Sequence, residues 1–494
     1  MSNENTLVSE ATIVRTFEPK PKKVQEILFD KELHRPAFQR QYKWTPKHVN
    51  QLIEDIVVHF HKKIKTYRIG TAVFYFDDSK QRKEIVDGQQ RLITLSLIAH
   101  ALLTGKNTRE FASRFGTIEG LTLLTKCTFT GSITKENVAA NYQEIVREVS
   151  NFSNDEIRFF FENCELVCIT RQDITEAFQF FDSQNARGKD LDPHDLLKAY
   201  HLREMAGATE EEIKELIETW ENEKDDDLNE LFGQYLFRIR RWAKRRSARF
   251  LTKANADVFK GVSLRKVNNY AYVYPLKISD VYTDEFNSHP HRKIDEVKKD
   301  FPFQVDQVII NGRRFFEMTS YYQQTVKKFK AVHKSAFKDG MSTEEEAKEI
   351  RSFLDKLEFL DITDPSSINY RIFKGLSIYE GRQRQGDQYA RVLFDAALIY
   401  YTDKFGNADL ERVIPKIFIW AYRLRLDQQS LQLASADTYA MSSESMFNVI
   451  REATEPKNVY QAYIVPLDEA VSTKTAKIEQ LFIELKYLRD EQSN

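Results

Sequence analysis

Glu84 to Arg91 reads EIVDGQQR: a short apolar strand ends in Asp-Gly and passes directly into the polar start of a helix. That junction sets the reading of the chain's first half. A helix N-terminus presents unpaired backbone N–H groups and a partial positive charge, and a glycine lets an anion come close to the backbone. Arg91, in the first turn, could add a bidentate fork for phosphate oxygens, and Asp87 could hold a metal ion or a ribose hydroxyl. The plainer reading is a strand-to-helix turn with a capping Asp and an exposed Arg. The stretch is neither a Walker A sequence nor a dinucleotide fingerprint, and the chain contains neither.

Working outward, Lys83 to Val86 and Tyr67 to Phe76 (YRIGTAVFYF) read as strands, and Leu92 to Leu103 as a buried helix. Val49, Leu52, Ile53 and Ile56 fall at helical spacing after Thr45-Pro46, a cap followed by a first-turn proline. Glu165 to Thr170 (ELVCIT) is a further strand, and Asp192-Pro193 caps a helix through about Glu204 with Asp195 in its first turn. After Met205 the periodicity is mainly helical: Glu344 to Phe359, Gln388 to Tyr401, Leu410 to Leu426. Thr209 to Glu230 is strongly acidic and predicts a solvated helix running into a linker, with a domain boundary between Met205 and Gly233. Asn311-Gly312 marks a hairpin or a strand-to-helix turn.

Composition bounds the function classes. The 494 residues predict roughly three domains at about 150 residues each. With 41% hydrophobic residues and only 16 Gly and 12 Pro, a collagen-like or largely disordered chain is excluded. The 73 basic and 74 acidic residues nearly cancel, so any nucleic-acid binding must come from a local patch. Cys127, Cys164 and Cys168 are too few for a disulfide framework and suit a reducing compartment; the last two are read as core. The first residues lack the basic-then-apolar pattern of a signal peptide, and no apolar run is long enough to span a bilayer, which predicts a cytoplasmic protein.

Three further stretches could carry chemistry. Arg35 to Trp44 (RPAFQRQYKW) crowds cations among Phe38, Tyr42 and Trp44, suiting base stacking with phosphate contacts, or else anchoring the following helix to the core. Phe178 to Tyr200 breaks at Asn185-Ala186-Arg187-Gly188-Lys189, a reasonable anion contact and equally an ordinary connection. Phe237 to Phe250 (FRIRRWAKRRSARF) has seven Lys or Arg and no acid; as one helix it would be basic over most of its circumference, through Arg238, Arg241, Lys244, Arg245 and Arg249 among others. Its alternative use is pairing with the acidic run just upstream. His289-Pro290-His291 has no neighbouring Cys, Asp or Glu arrangement that completes a metal site.

Three motifs in order, Phe38-Gln39-Arg40-Gln41-Tyr42-Lys43-Trp44, Asp87 to Arg91 and Asn185 through Lys198, resemble the N-terminal domain of GmrSD-type modification-dependent restriction proteins over about the first 205 residues. Weaker likeness continues at Asn311 to Phe316 and Ile419 to Arg423. The resemblance implies a ParB/sulfiredoxin-like fold whose DGQQR turn binds and often hydrolyses a nucleoside triphosphate, in bacterial defence against foreign DNA. By motif, Gly88, Gln89, Gln90 and Arg91 would meet the phosphates, with Arg40, Asn185, Arg187 and Lys189 completing the nucleotide site. Asp87 would organise Mg²⁺ or water, giving Asp87, Gln90 and Arg91 the catalytic roles. Arg40, Tyr42 and Trp44 would line the same pocket or an adjoining nucleic-acid face. Many relatives end in an HNH nuclease domain, whose chemistry needs histidine. The last of the ten histidines here is His333, so no such C-terminal site is present.

The expectation is an α+β protein: a ParB/sulfiredoxin-like α/β domain over 1–205, then a large mainly helical region over 206–494, divisible near 340. The expected function is a nucleotide-binding, NTP-hydrolysing sensor subunit using GTP, ATP or CTP with Mg²⁺. It would act on DNA, modified DNA included, beside a separate nuclease or effector, with homo-oligomer formation open and no membrane partner. The alternatives are a DNA-recognition module without turnover and a metal-dependent nuclease housed in the N-terminal domain.

Overall fold

A computed structural model describes residues 18–36, 41–105, 108–126, 132–172, 176–177, 192–205, 208–295, 297–338 and 341–489. The chain forms two compact units: Met1–Leu191 with Thr209–Asn222, and Asp192–Ala208 with Glu223–Asn494. The boundary expected near 205 is thus a double crossing, and the second unit holds the residues on both sides of 340. Side-chain chemistry accounts for the exchange. Gln41 Nε2 donates to the Glu221 carbonyl (2.6 Å), tying helix 210–222 to the first unit. His201 on helix 193–203 is buried against Phe259 and Phe315 of the second.

The first unit is built on a five-stranded mixed sheet in the order β1-β5-β3-β4-β2, with β1 Lys20–Lys23, β2 Leu33–His34, β3 Tyr67–Asp77, β4 Arg82–Asp87 and β5 Cys164–Arg171. β3 pairs antiparallel with β4 and parallel with β5, and its register slips between Arg68 and Gly70 and again between Val73 and Phe74. The α+β expectation therefore holds. Helix α1 (Pro46–His61) starts at Thr45, where Thr45 and His48 form a reciprocal cap and Pro46 presets the first turn. Helix α2 (Gln89–Thr104) is buried on nearly every side, its apolar Leu92, Leu95, Ile98 and Leu102 together with the polar Thr94 and Ser96, and so occupies the core rather than the surface. Cys164 and Cys168 are buried on β5, as expected; Cys127 lies outside the described residues.

The second unit is helical. Helices Gln385–Phe405 and Leu410–Leu426 form its most buried pair. The acidic stretch is no linker: helix 210–222 ends, and Asp225–Glu230 runs into a buried π-helical turn, Leu231–Leu236, and then a short helix, Phe237–Trp242. Glu223 pairs with Lys327, and Asp227 and Glu230 with Lys330, so these acids have partners other than the basic residues 238–249. Asn311-Gly312 is a strand-to-helix turn: after the Val262–Ile310 bridge, Gly312 caps helix Arg313–His333. No helix among the described residues is long and apolar enough to cross a membrane.

Candidate functional site: the strand-to-helix turn after Asp87

The turn has the predicted form. Asp87 ends β4, Gly88 caps α2 with φ +90, and α2 begins at Gln89. Glycine is required here on two counts: its backbone is left-handed, and an added Cβ would lie 3.2 Å from Ala72 on β3. Asp87 and Arg91 are half-buried, whereas Gly88, Gln89 and Gln90 are buried.

Gln90 therefore does not project toward a ligand. Its Oε1 accepts from the backbone N–H groups of Lys43 (2.8 Å) and Trp44 (3.2 Å), and its Nε2 donates to the Gln41 carbonyl (2.9 Å). One amide satisfies three main-chain groups of the segment preceding α1. The catalytic and phosphate-contacting roles expected of this side chain are corrected to a clamp joining two of the sequence motifs. Gln89, expected at the phosphates, is likewise buried. What the turn can offer an anion is its backbone N–H groups and Arg91.

Arg91 is placed by β3. Its Nη1 donates to the Thr71 carbonyl (2.9 Å), and its guanidinium lies against Gly70, where an added Cβ would meet Nη1 at 2.2 Å. Gly70 sits at the β3 register slip with φ +150, so β3 both makes room for the guanidinium and anchors it. Neither Arg91 nor Asp87 forms an ion pair with any described residue. No other Asp, Glu, His or Cys among the described residues stands with Asp87 as a metal-ligand group. A lone carboxylate fits Mg²⁺ bound largely by substrate phosphates and water, and does not fit an all-protein metal centre.

Tyr42, expected to face a base, is a core residue. Its hydroxyl sits 2.7 Å from Thr94 Oγ1 and accepts from Asn141 Nδ2 (2.9 Å); its main chain is held by Thr134 and Asn137. Burial raises the phenol's pKa, and no face of the ring is open to stack on a base. Trp44 stays partly exposed, stacked on His48 with ring centroids 5.8 Å apart. Phe38, Arg40, Asn185, Arg187 and Lys189 lie outside the described residues. The sequence reading passed over Gly70, Asn137 and Asn141. The two asparagines, one turn apart in the stretch Ser132–Val149, were the available signal of an inward polar stripe.

The basic stretch is not one helix. It ends at Trp242, and Arg238, expected on a nucleic-acid face, is 3% exposed with its guanidinium over the Trp242 ring. Arg240 is also turned inward, donating to the Val305 and Gln307 carbonyls. The chain then bends around Asp437, which accepts from Trp242 Nε1 (2.8 Å), Ser247 Oγ (2.6 Å) and the Ala248 N–H (2.7 Å). Burial pushes the Asp437 carboxyl up, but these donors and Arg249 outweigh it and hold it below the ordinary value. The bend leaves Lys244, Arg245, Arg246 and Arg249 exposed and Arg241 half-exposed. A separate cluster, Asp192, His194 and Asp195, brings three metal-type ligands together at the start of helix 193–203, where exposed acids at a helix N-terminus are ordinary.

Residues 24–202 match the GmrSD restriction endonuclease, N-terminal domain, and residues 212–480 match the family of unknown function DUF7834. The chain belongs to the DUF7834 family. Its first unit carries a GmrSD-type N-terminal domain, and neither match is an HNH nuclease domain. No curated protein matches the chain. The GmrSD-type match spans β2 through helix 193–203, so it takes in all three sequence motifs and the helix that packs with the second unit. That domain type points to a component of a restriction or antiphage system.

Proposed function

We propose that this chain is a nucleotide-binding, NTP-hydrolysing regulatory subunit of a restriction system. The observation that carries the reading is the pair Asp87 and Arg91: a carboxylate and a guanidinium half-exposed at a glycine-capped helix start, neither in an ion pair with a described residue. The N–H groups of the first turn of α2 and the free edge of the Arg91 fork receive the phosphates. Asp87 holds Mg²⁺ or positions water, with Trp44 on the adjoining rim. ATP, GTP and CTP are the candidate ligands. The exposed cations Lys244, Arg245, Arg246 and Arg249 support a DNA contact in the second unit, with cleavage assigned to a separate nuclease. A nuclease in the first unit is the weaker reading, because Asp87 lacks companion ligands among the described residues.

Phosphate release from each triphosphate with Mg²⁺ tests turnover. Wild-type chain should release phosphate, and Asp87→Asn should bind nucleotide but release phosphate at least about a hundredfold more slowly, the low end of the contribution of one positioned acid or base. Equal release from both proteins would remove Asp87 from the chemistry.

A further inference from the structure

The second unit contains two adjoining cavities that the phosphate turn does not use. The inner one, of about 550 Å³, is lined by Tyr235, Tyr379, Tyr389 and Tyr422, by the amides of Gln234 and Gln388, and by a buried charged group centred on Asp395. Asp395 pairs with Arg391 (3.2 Å) and His333 (2.8 Å). The outer one, of about 250 Å³, shares Asn229, Gln234, Gln385 and Tyr389 with it. Their electrostatics differ. The inner lining mixes Arg382, Arg391 and His333 with the acids Asp226, Glu230 and Asp395, whereas the outer is lined by Arg238 and Arg249 with no acid. The outer cavity also opens beside Phe250, 68% exposed, in the basic bend.

A polar group of the inner lining lacks a partner. Arg391 Nη2 has no hydrogen-bonding partner among the described residues, although buried polar groups are ordinarily satisfied. Gln234 and Tyr235 are presented by the π-helical turn Leu231–Leu236, a departure from α-geometry that is concentrated at functional sites. A cleft with exposed amides and the half-exposed Tyr389 ring, adjoining a cationic one, suits a ligand with a planar hydrogen-bonding end and an anionic end. The combined size is that of an ordinary small-ligand pocket.

We infer that these cavities form a second nucleotide site. The base enters the inner cavity, where the half-exposed Tyr389 ring stacks on it and the exposed amides of Gln234 and Gln388 read its edge, and the phosphate remains at Arg249. The ligand is a nucleotide, either free or displayed by a DNA strand. This inference is independent of the Asp87–Arg91 reading.

The test uses the full chain and two kinds of probe: each deoxynucleoside monophosphate, and a fluorescent short single-stranded oligodeoxynucleotide. Tyr389→Ala removes a half-exposed wall common to both cavities. Gly233→Leu fills the outer one from a position where an added Cβ meets nothing within 4 Å. Saturable binding of a monophosphate, weakened about tenfold by either variant and unchanged in Arg91→Lys, would establish a free-nucleotide site. Binding of the strand alone with the same sensitivities would establish a site for a base displayed by DNA. Binding of neither probe, or binding indifferent to both cavity variants, would overturn the inference.

Discussion

Gln90 is the residue on which the first unit's local order turns, and its role is structural. Replacing it with Ala strands two buried N–H groups and a carbonyl of residues 41–44. At the usual cost of buried unsatisfied groups, Gln90→Ala should lose about 2–3 kcal/mol, read as a lower denaturant midpoint at constant slope. Gly70 acts at the same scale but on function. Its replacement with Ala collides with the Arg91 guanidinium and strains a backbone at φ +150. Gly70→Ala should therefore weaken nucleotide binding about as much as Arg91→Ala does, although residue 70 carries no binding group. Titration of the variant checks this; wild-type affinity in a folded Gly70→Ala protein would detach β3 from Arg91's placement.

At the scale of elements, His201 joins helix 193–203 to the start of helix 313–333. Its Nε2–H donates to the Phe259 carbonyl (3.0 Å), which leaves Nδ1 to accept from the Gly312 N–H (3.3 Å), so the neutral ring is the form the fold requires. Burial pushes its pKa down to about 3, with the Phe259 hydrogen bond opposing and Lys260 adding to the shift. A depressed folded value means that His201's contribution is fully present above the unfolded value near 6.5 and is lost as pH falls toward 3. His201→Gln should be less stable at pH 7.5, and its stability should fall less steeply than wild type between pH 6.5 and 4. Parallel denaturation curves across that interval would contradict this assignment. The elements themselves were largely legible. β3 and β5 carry apolar, β-branched runs, β4 has an apolar Ile85-Val86 centre, and α2 is mostly apolar from Leu92 to Leu103. β1 was not, because KPKK pairs through its backbone at a sheet edge, where charge and proline are tolerated. The basic stretch misled because its organiser, Asp437, is 195 residues from Trp242 in sequence, so local periodicity carried no sign of the bend. At the turn, the motif was readable but the direction of its side chains was not: Tyr42 points inward because Asn141 and Thr94 complete its hydrogen bonds, and Gln90 because the main chain of residues 41–44 completes its own.

For the whole molecule, we propose a nucleotide-binding turn in one unit and a DNA-contacting bend in the other. With a net charge of only −1, the bend rather than a global field must carry any DNA attraction. Duplex affinity should fall steeply with salt, and Lys244→Ala/Arg245→Ala/Arg246→Ala should flatten the log–log slope by about 2–3 if each cation meets a phosphate. An unchanged slope would move the DNA contact elsewhere. The central claim, that the Asp87–Arg91 turn binds nucleotide, is tested most directly by calorimetric titration of wild type and Arg91→Ala with ATP, GTP and CTP in the presence of Mg²⁺. Arg91 is half-buried and bonded to Thr71, so the variant should lose only about 1 kcal/mol of stability and remain folded. Saturable triphosphate binding by wild type that disappears in folded Arg91→Ala is the predicted result; equal affinity in the two proteins would contradict it.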